Sequence, residues 1–169
     1  PAAPQVAAHN FRFSEDYDLY PSGAKTKYKN NVMAIKLLKQ IELEKRTATP
    51  EEQIILARYV GWGGLANAFS STASGWENEY QELKSLLTDV EYKAAMNSTI
   101  TAYYTEPDLI RHIYRALERF GFEGGPDRKI LDPGMGTGNF YSVLPEQFQG
   151  SKLFGVELDS ITGRIAKQL

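Results

Sequence analysis

The last third of the chain alternates short apolar runs with turns: KIL at 129–131, a glycine loop, NFYSVL at 139–144, KLFGVEL at 152–158, and a last helix from about Ser160. Periodicity and turn residues give it the order β-α-β-α, and such units build parallel sheets through right-handed crossovers. Residues 121–169 are therefore predicted to be an α/β segment.

Upstream, the spacing changes to that of helices. Val32, Ile35, Leu38 and Ile41 mark an amphipathic helix from about Asn31 to Arg46. Thr49-Pro50-Glu51-Glu52 combines an N-cap hydroxyl, a proline at the first helical position and a reciprocal carboxylate, and Thr88 to Glu91 repeats the capping pattern. Trp62 is expected to pack at a glycine-rich turn, and Trp76, Tyr80, Leu83 and Leu87 to share one helical face. Thr105 is expected to cap a helix whose buried face carries Ile110, Ile113, Leu117 and Phe120, with Gly121 as its left-handed stop and His112 off that face. The chain thus divides into an extended arm or linker over 1–29, a helical region over 30–120 and the α/β segment over 121–169. In the arm, Pro21, Ser22 and Gly23 read as a turn. Lys25, Lys27 and Lys29 surround Tyr28, either as a solvated loop or as a strip for a nucleic-acid backbone.

Composition narrows the chemistry. There is no cysteine, which excludes disulfides, thiolate metal sites and a thiol nucleophile. His9 and His112 stand far apart, so a histidine-rich metal centre is not expected. A net charge of −2 lacks the basic excess of a self-sufficient DNA-binding domain. No apolar run reaches the roughly 20 residues of a membrane span, and PAAPQVAAHN lacks a signal-peptide layout, so a cytoplasmic protein is expected.

The glycine loop DPGMGTGNF, residues 132–140, carries the functional signal. Glycines between a strand and a helix let ligand atoms approach backbone N–H groups without meeting a Cβ. A nucleoside-triphosphate loop needs Lys and then Ser or Thr after the last glycine, but Asn139 and Phe140 follow Gly138. The dinucleotide fingerprint spaces its third glycine differently from Gly134, Gly136 and Gly138, which disfavours a nicotinamide oxidoreductase. Asp132 would repel a pyrophosphate but attract a cationic or zwitterionic ligand. Glu157 follows Asp132 by 25 residues, near the spacing at which an acid grips ribose hydroxyls. Two such acids can hold an amine and a ribose diol, and S-adenosylmethionine has both. The alternative is that they cap the helices that follow them.

These residues also carry a family resemblance. DPGMGTGNF resembles the first motif of N6-adenine DNA methyltransferases, GVELD their second, and YYTEPDLI the segment that closes over the cofactor's methionine end. From about residue 30 onward the chain is similar to the methylase region of large methyltransferase-helicase proteins of bacterial conjugative elements and phages. The resemblance implies the first two β-α units of a Rossmann-like class I methyltransferase fold, preceded by a helical region. It implies S-adenosylmethionine as cofactor and as its contacts Tyr104, Thr105, Pro107, Asp132, Gly134, Met135, Gly136, Gly138, Asn139, Phe140, Glu157 and Leu158. Two positions depart from the pattern: Gly134 stands where Ala or Ser is common, and Glu106 where the first proline of a pair is often seen.

The family's catalytic motif, Asn or Asp before Pro-Pro or a variant and an aromatic, does not occur after Glu157. The chain is therefore expected to be the cofactor-binding front half of an adenine-N6 DNA methyltransferase, inactive alone and meeting DNA through the parent protein. The competing expectation is a non-catalytic methyltransferase-like module that binds DNA or a protein partner. Apolar strands such as KIL and KLFGVEL also predict dimerisation through exposed edges, cover by the N-terminal helices, or marginal stability of the last third.

Overall fold

The computed structural model of the protein describes residues 9–20 and 22–169. It is rich in helix and has one small parallel sheet. The helices are α1 (Ala24–Glu44), α2 (Pro50–Ala57), α3 (Glu77–Leu86), α4 (Asp89–Ser98), α5 (Pro107–Arg119), α6 (Asn139–Ser142) and α7 (Ser160–Ala166), and the strands are β1 (Lys129–Asp132) and β2 (Lys152–Gly155). Lys129 pairs with Lys152 and Asp132 with Gly155, in parallel register. The expected β-α-β-α order is present, although α6 is a single turn.

Local signals set several boundaries. Thr49 and Thr88 each close a capping box, with Glu52 and Glu91 respectively. Gly121 takes φ 79 just beyond α5, a conformation that costs glycine nothing. Trp62 is buried in its turn. That turn is clamped by Asn31, fully buried on α1, whose amide donates to Gly61 O at 2.6 Å while its Oδ1 accepts from Val60 N at 2.9 Å.

Other expectations are corrected. The helix expected from about Asn31 starts at Ala24, so the lysine strip lies on its first turns and not in a loop. Tyr28 is buried and its hydroxyl donates to Glu79 O and Glu82 Oε2, both at 2.9 Å, so it has no free face for a base. Lys25 pairs with Glu79 at 2.6 Å and lies 4.0 Å from the Trp76 ring centroid. Pro21, part of the expected turn, lies outside the described residues, while Ser22 and Gly23 form a bend. The stretch 9–20, expected to be arm or linker, is packed: Phe11 and Leu19 are buried with Ala57 in a small core of their own. Glu106, not Thr105, is the N-cap of α5, with Pro107 at its first turn. The buried face of α5 runs through Pro107, Ile110 and Tyr114, leaving Ile113 and Phe120 exposed. Tyr114 wins because its ring meets Phe140 and Phe148 and its hydroxyl donates to Phe140 O at 2.8 Å.

Packing does not follow the division at residue 121. Ile161 and Ile165 of α7 are buried in the main core beside Ile35, Leu38, Leu56 and Trp62 of the helical region. Conversely, Ile110 and Tyr114 of α5 form a second core with Leu144 and Phe148, against which Ile130 and Leu153 of the sheet pack. Each buried isoleucine contributes about 1.5–3 kcal/mol, so α7 is anchored upstream. Arg164 adds a polar tie, donating to Glu42 on α1 at 2.8 and 2.9 Å and to Glu91 on α4 at 2.8 Å. The opposite face of the sheet is bare, with Leu131, Phe154 and Val156 exposed.

Candidate functional site

The site is built where β1 runs into the glycine loop. Pairing continues past β2, because Val156 N donates to Asp132 O at 2.9 Å and Met135 N to Val156 O at 3.0 Å. Those bonds bring Glu157, two residues beyond the strand, beneath the loop. Glu157 Oε2 accepts from Gly136 N at 2.9 Å and its Oε1 from Asp159 N at 2.8 Å. Asp132 Oδ1 accepts from Gly134 N at 3.1 Å. Neither acid is itself an N-cap; α7 is capped by Asp159, which accepts from Thr162 N at 2.7 Å and whose own N–H donates to Glu157.

Loop shape explains two of the glycines. Gly136 and Gly138 have φ 56 and 89, in the left-handed region, whereas Gly134 has no such requirement and open space where a Cβ would stand. A Cβ on Gly136 would lie 3.3 Å from the Tyr104 ring, so this glycine also lets the aromatic close over the loop. The Tyr104 hydroxyl is 3.0 Å from Thr162 Oγ1, and burial raises its pKa above that of a free phenol, so it remains neutral. Asn139 Nδ2 donates to Thr105 O at 3.0 Å, tying the segment before α5 to the start of α6. Tyr141 supports the loop from behind: its hydroxyl accepts from Asp132 N at 3.0 Å and donates to Phe154 O, bridging the strand ends.

Two cavities meet at this loop and share Tyr103, Tyr104, Gly134 and Gly136. The smaller, of about 60 Å³, is lined also by Thr105, Asp132, Met135, Asn139 and Phe140. The larger, of about 440 Å³, reaches Glu157, Leu158 and Asp159, a volume within the range of roughly 300–1,000 Å³ for small-molecule sites. The structure thus assembles Tyr104, Thr105, Asp132, Gly134, Met135, Gly136, Asn139, Phe140, Glu157 and Leu158 around adjoining spaces. Pro107 is buried and lines neither, and Gly138 lines a separate cavity with Phe11 and Leu169.

The far wall of the larger cavity comes from the helical region, through Tyr59, Ala94, Asn97, Ser98 and Thr101. Sequence reasoning missed these residues because no motif marks them and only the packing of α4 brings them to the glycine loop. Among the described residues, no group of three or more His, Asp or Glu side chains could hold a metal ion, and no helix is long and apolar enough to cross a membrane. No family model, curated protein or solved structure matches the chain.

Proposed function

We propose that the chain binds S-adenosylmethionine, as the cofactor-binding part of a DNA adenine-N6 methyltransferase whose Rossmann-like sheet begins with β1 and β2. The observation that carries this reading is the convergence of Asp132 and Glu157 on one glycine loop under Tyr104. Their donor sets fit such a ligand. Each Glu157 oxygen accepts one N–H within the protein and keeps lone-pair capacity for a ribose diol, and Asp132 Oδ2 remains to receive an ammonium group. Gly136 lets Tyr104 close over the loop, where a side chain would stand in the way of the ring.

When bound, S-adenosylmethionine supplies a methyl group on a sulfonium sulfur, an electrophile for an amine nitrogen. The chain's own residues hold and orient that ligand, which is the proximity contribution to such a transfer. None of them is assigned as acid, base or nucleophile, and the grip on a flipped adenine expected of the missing motif is not proposed for these residues.

Isothermal calorimetry with S-adenosylmethionine, S-adenosylhomocysteine and NAD tests the proposal. Binding of the first two that is lost in Asp132→Ala and Glu157→Ala, without binding of NAD, supports it. A folded chain that binds none of them sinks it and favours a non-catalytic module for DNA or a protein partner. With labelled S-adenosylmethionine and adenine-containing DNA, no methyl incorporation by the chain alone is expected.

A further inference from the structure

Part of the lining of the larger cavity comes from α4 and the turn that follows it. Ala94, Asn97, Ser98 and Thr101 line it at helical spacing, and the Ala102 N–H donates to Ser98 O at 2.8 Å, continuing the helical path past the end of α4. The Ser98 hydroxyl is used within the helix, donating to Ala95 O at 2.8 Å. The Asn97 and Thr101 side chains have no partner among the described residues. Both residues are exposed and line the same cavity as Glu157.

The wall is also held still. Glu91, at the start of α4, is tied to Arg164 of α7 at 2.8 Å, and Gly63 N and Gly64 N donate to Ala102 O and Thr99 O at 3.1 and 3.0 Å. The two sides of the cavity are thus fixed by separate contacts, which lowers the ordering cost of binding between them.

We propose that Asn97 and Thr101 are specificity-determining contacts for the nucleoside half of the ligand, so that the helical region supplies half of the binding site; this rests on the cofactor reading above. Glu157 takes the diol and Asp132, in the smaller cavity, the amine end. The part of the ligand left facing α4 is the base. A carboxamide offers one donor and one acceptor side by side, matching the amino group and neighbouring ring nitrogen of adenine. The Thr101 hydroxyl adds a donor or acceptor one turn further on.

The test uses the whole chain with S-adenosylhomocysteine, adenosine and methionine as calorimetric probes. Asn97→Ala and Thr101→Val are each expected to weaken S-adenosylhomocysteine and adenosine by roughly two- to tenfold, the range of one net hydrogen bond, while thermal melting stays unchanged. In two-dimensional NMR the Asn97 side-chain amide signal should move on adding adenosine and stay still with methionine. Unchanged affinities in both variants together with a still Asn97 signal would overturn the assignment while leaving the cofactor reading standing. Absence of S-adenosylhomocysteine binding by the unaltered chain would overturn both.

Discussion

The backbone N–H of Gly136 donates to Glu157 Oε2 at 2.9 Å, across 21 residues of sequence. This bond makes one structure of the glycine loop and the segment after β2. It also leaves Gly136 closely constrained, between a carboxylate below and the Tyr104 ring above.

Gly136→Ala should therefore be costly and Gly134→Ala mild. At Gly136 the backbone has φ 56 and the added methyl would stand 3.3 Å from Tyr104. A left-handed alanine costs about 1–2 kcal/mol before Tyr104 moves. Urea unfolding should register that loss, and S-adenosylhomocysteine titration a parallel loss of binding. Gly134→Ala, with open space and an ordinary backbone, should lose less than about 0.5 kcal/mol.

Asn31→Leu should destabilise the fold and loosen the turn whose Gly61 lines the larger cavity. The substitution leaves Val60 N–H and Gly61 O without their partner inside the core. Each orphaned buried group costs about 1–3 kcal/mol, so a total of about 2–6 kcal/mol is expected in denaturant unfolding.

Stability should fall in acid partly through Glu91. Burial pushes this carboxyl up, but hydrogen bonds from Arg164, the Thr88 N–H and Lys39 outweigh it and hold the pKa at about 2, against 4.5 for the free group. A folded-state pKa below the unfolded one gives stability that is present above pH 4.5 and lost as pH falls from there towards 2. Glu91→Gln should flatten this part of the profile, measured as unfolding free energy between pH 7 and pH 3. An equally steep fall in the variant would assign the acid sensitivity to other carboxylates.

Self-association should involve the bare face of the sheet. Leu131 and Phe154 are register partners, and both are exposed. Apolar strands left open invite pairing with another chain. Sedimentation at rising concentration should detect a dimer that Phe154→Lys weakens, and a monomer at all concentrations would refute this expectation.

What the sequence determined by itself was local. The capping boxes of Thr49 and Thr88, the left-handed stop at Gly121 and the strand-loop order around Gly136 each depend on residues within a few positions of one another, and the structure has them all. The convergence of Asp132 and Glu157 on one loop was also legible, because a parallel pair of strands carries their ends to the same edge. Tertiary structure alone decided the rest. α5 buries Tyr114 instead of Ile113 because Phe140 and Phe148 offer a partner there, and helical spacing permits either face. Tyr28 is withdrawn from solvent because α3 presents Glu79 and Glu82 to its hydroxyl. Asn97 and Thr101 reach the site only because Arg164 and the Trp62 turn hold α4 against it. Periodicity and capping act over one or two turns of chain, whereas these choices depend on which distant surfaces close-pack, and no short stretch of sequence contains that information.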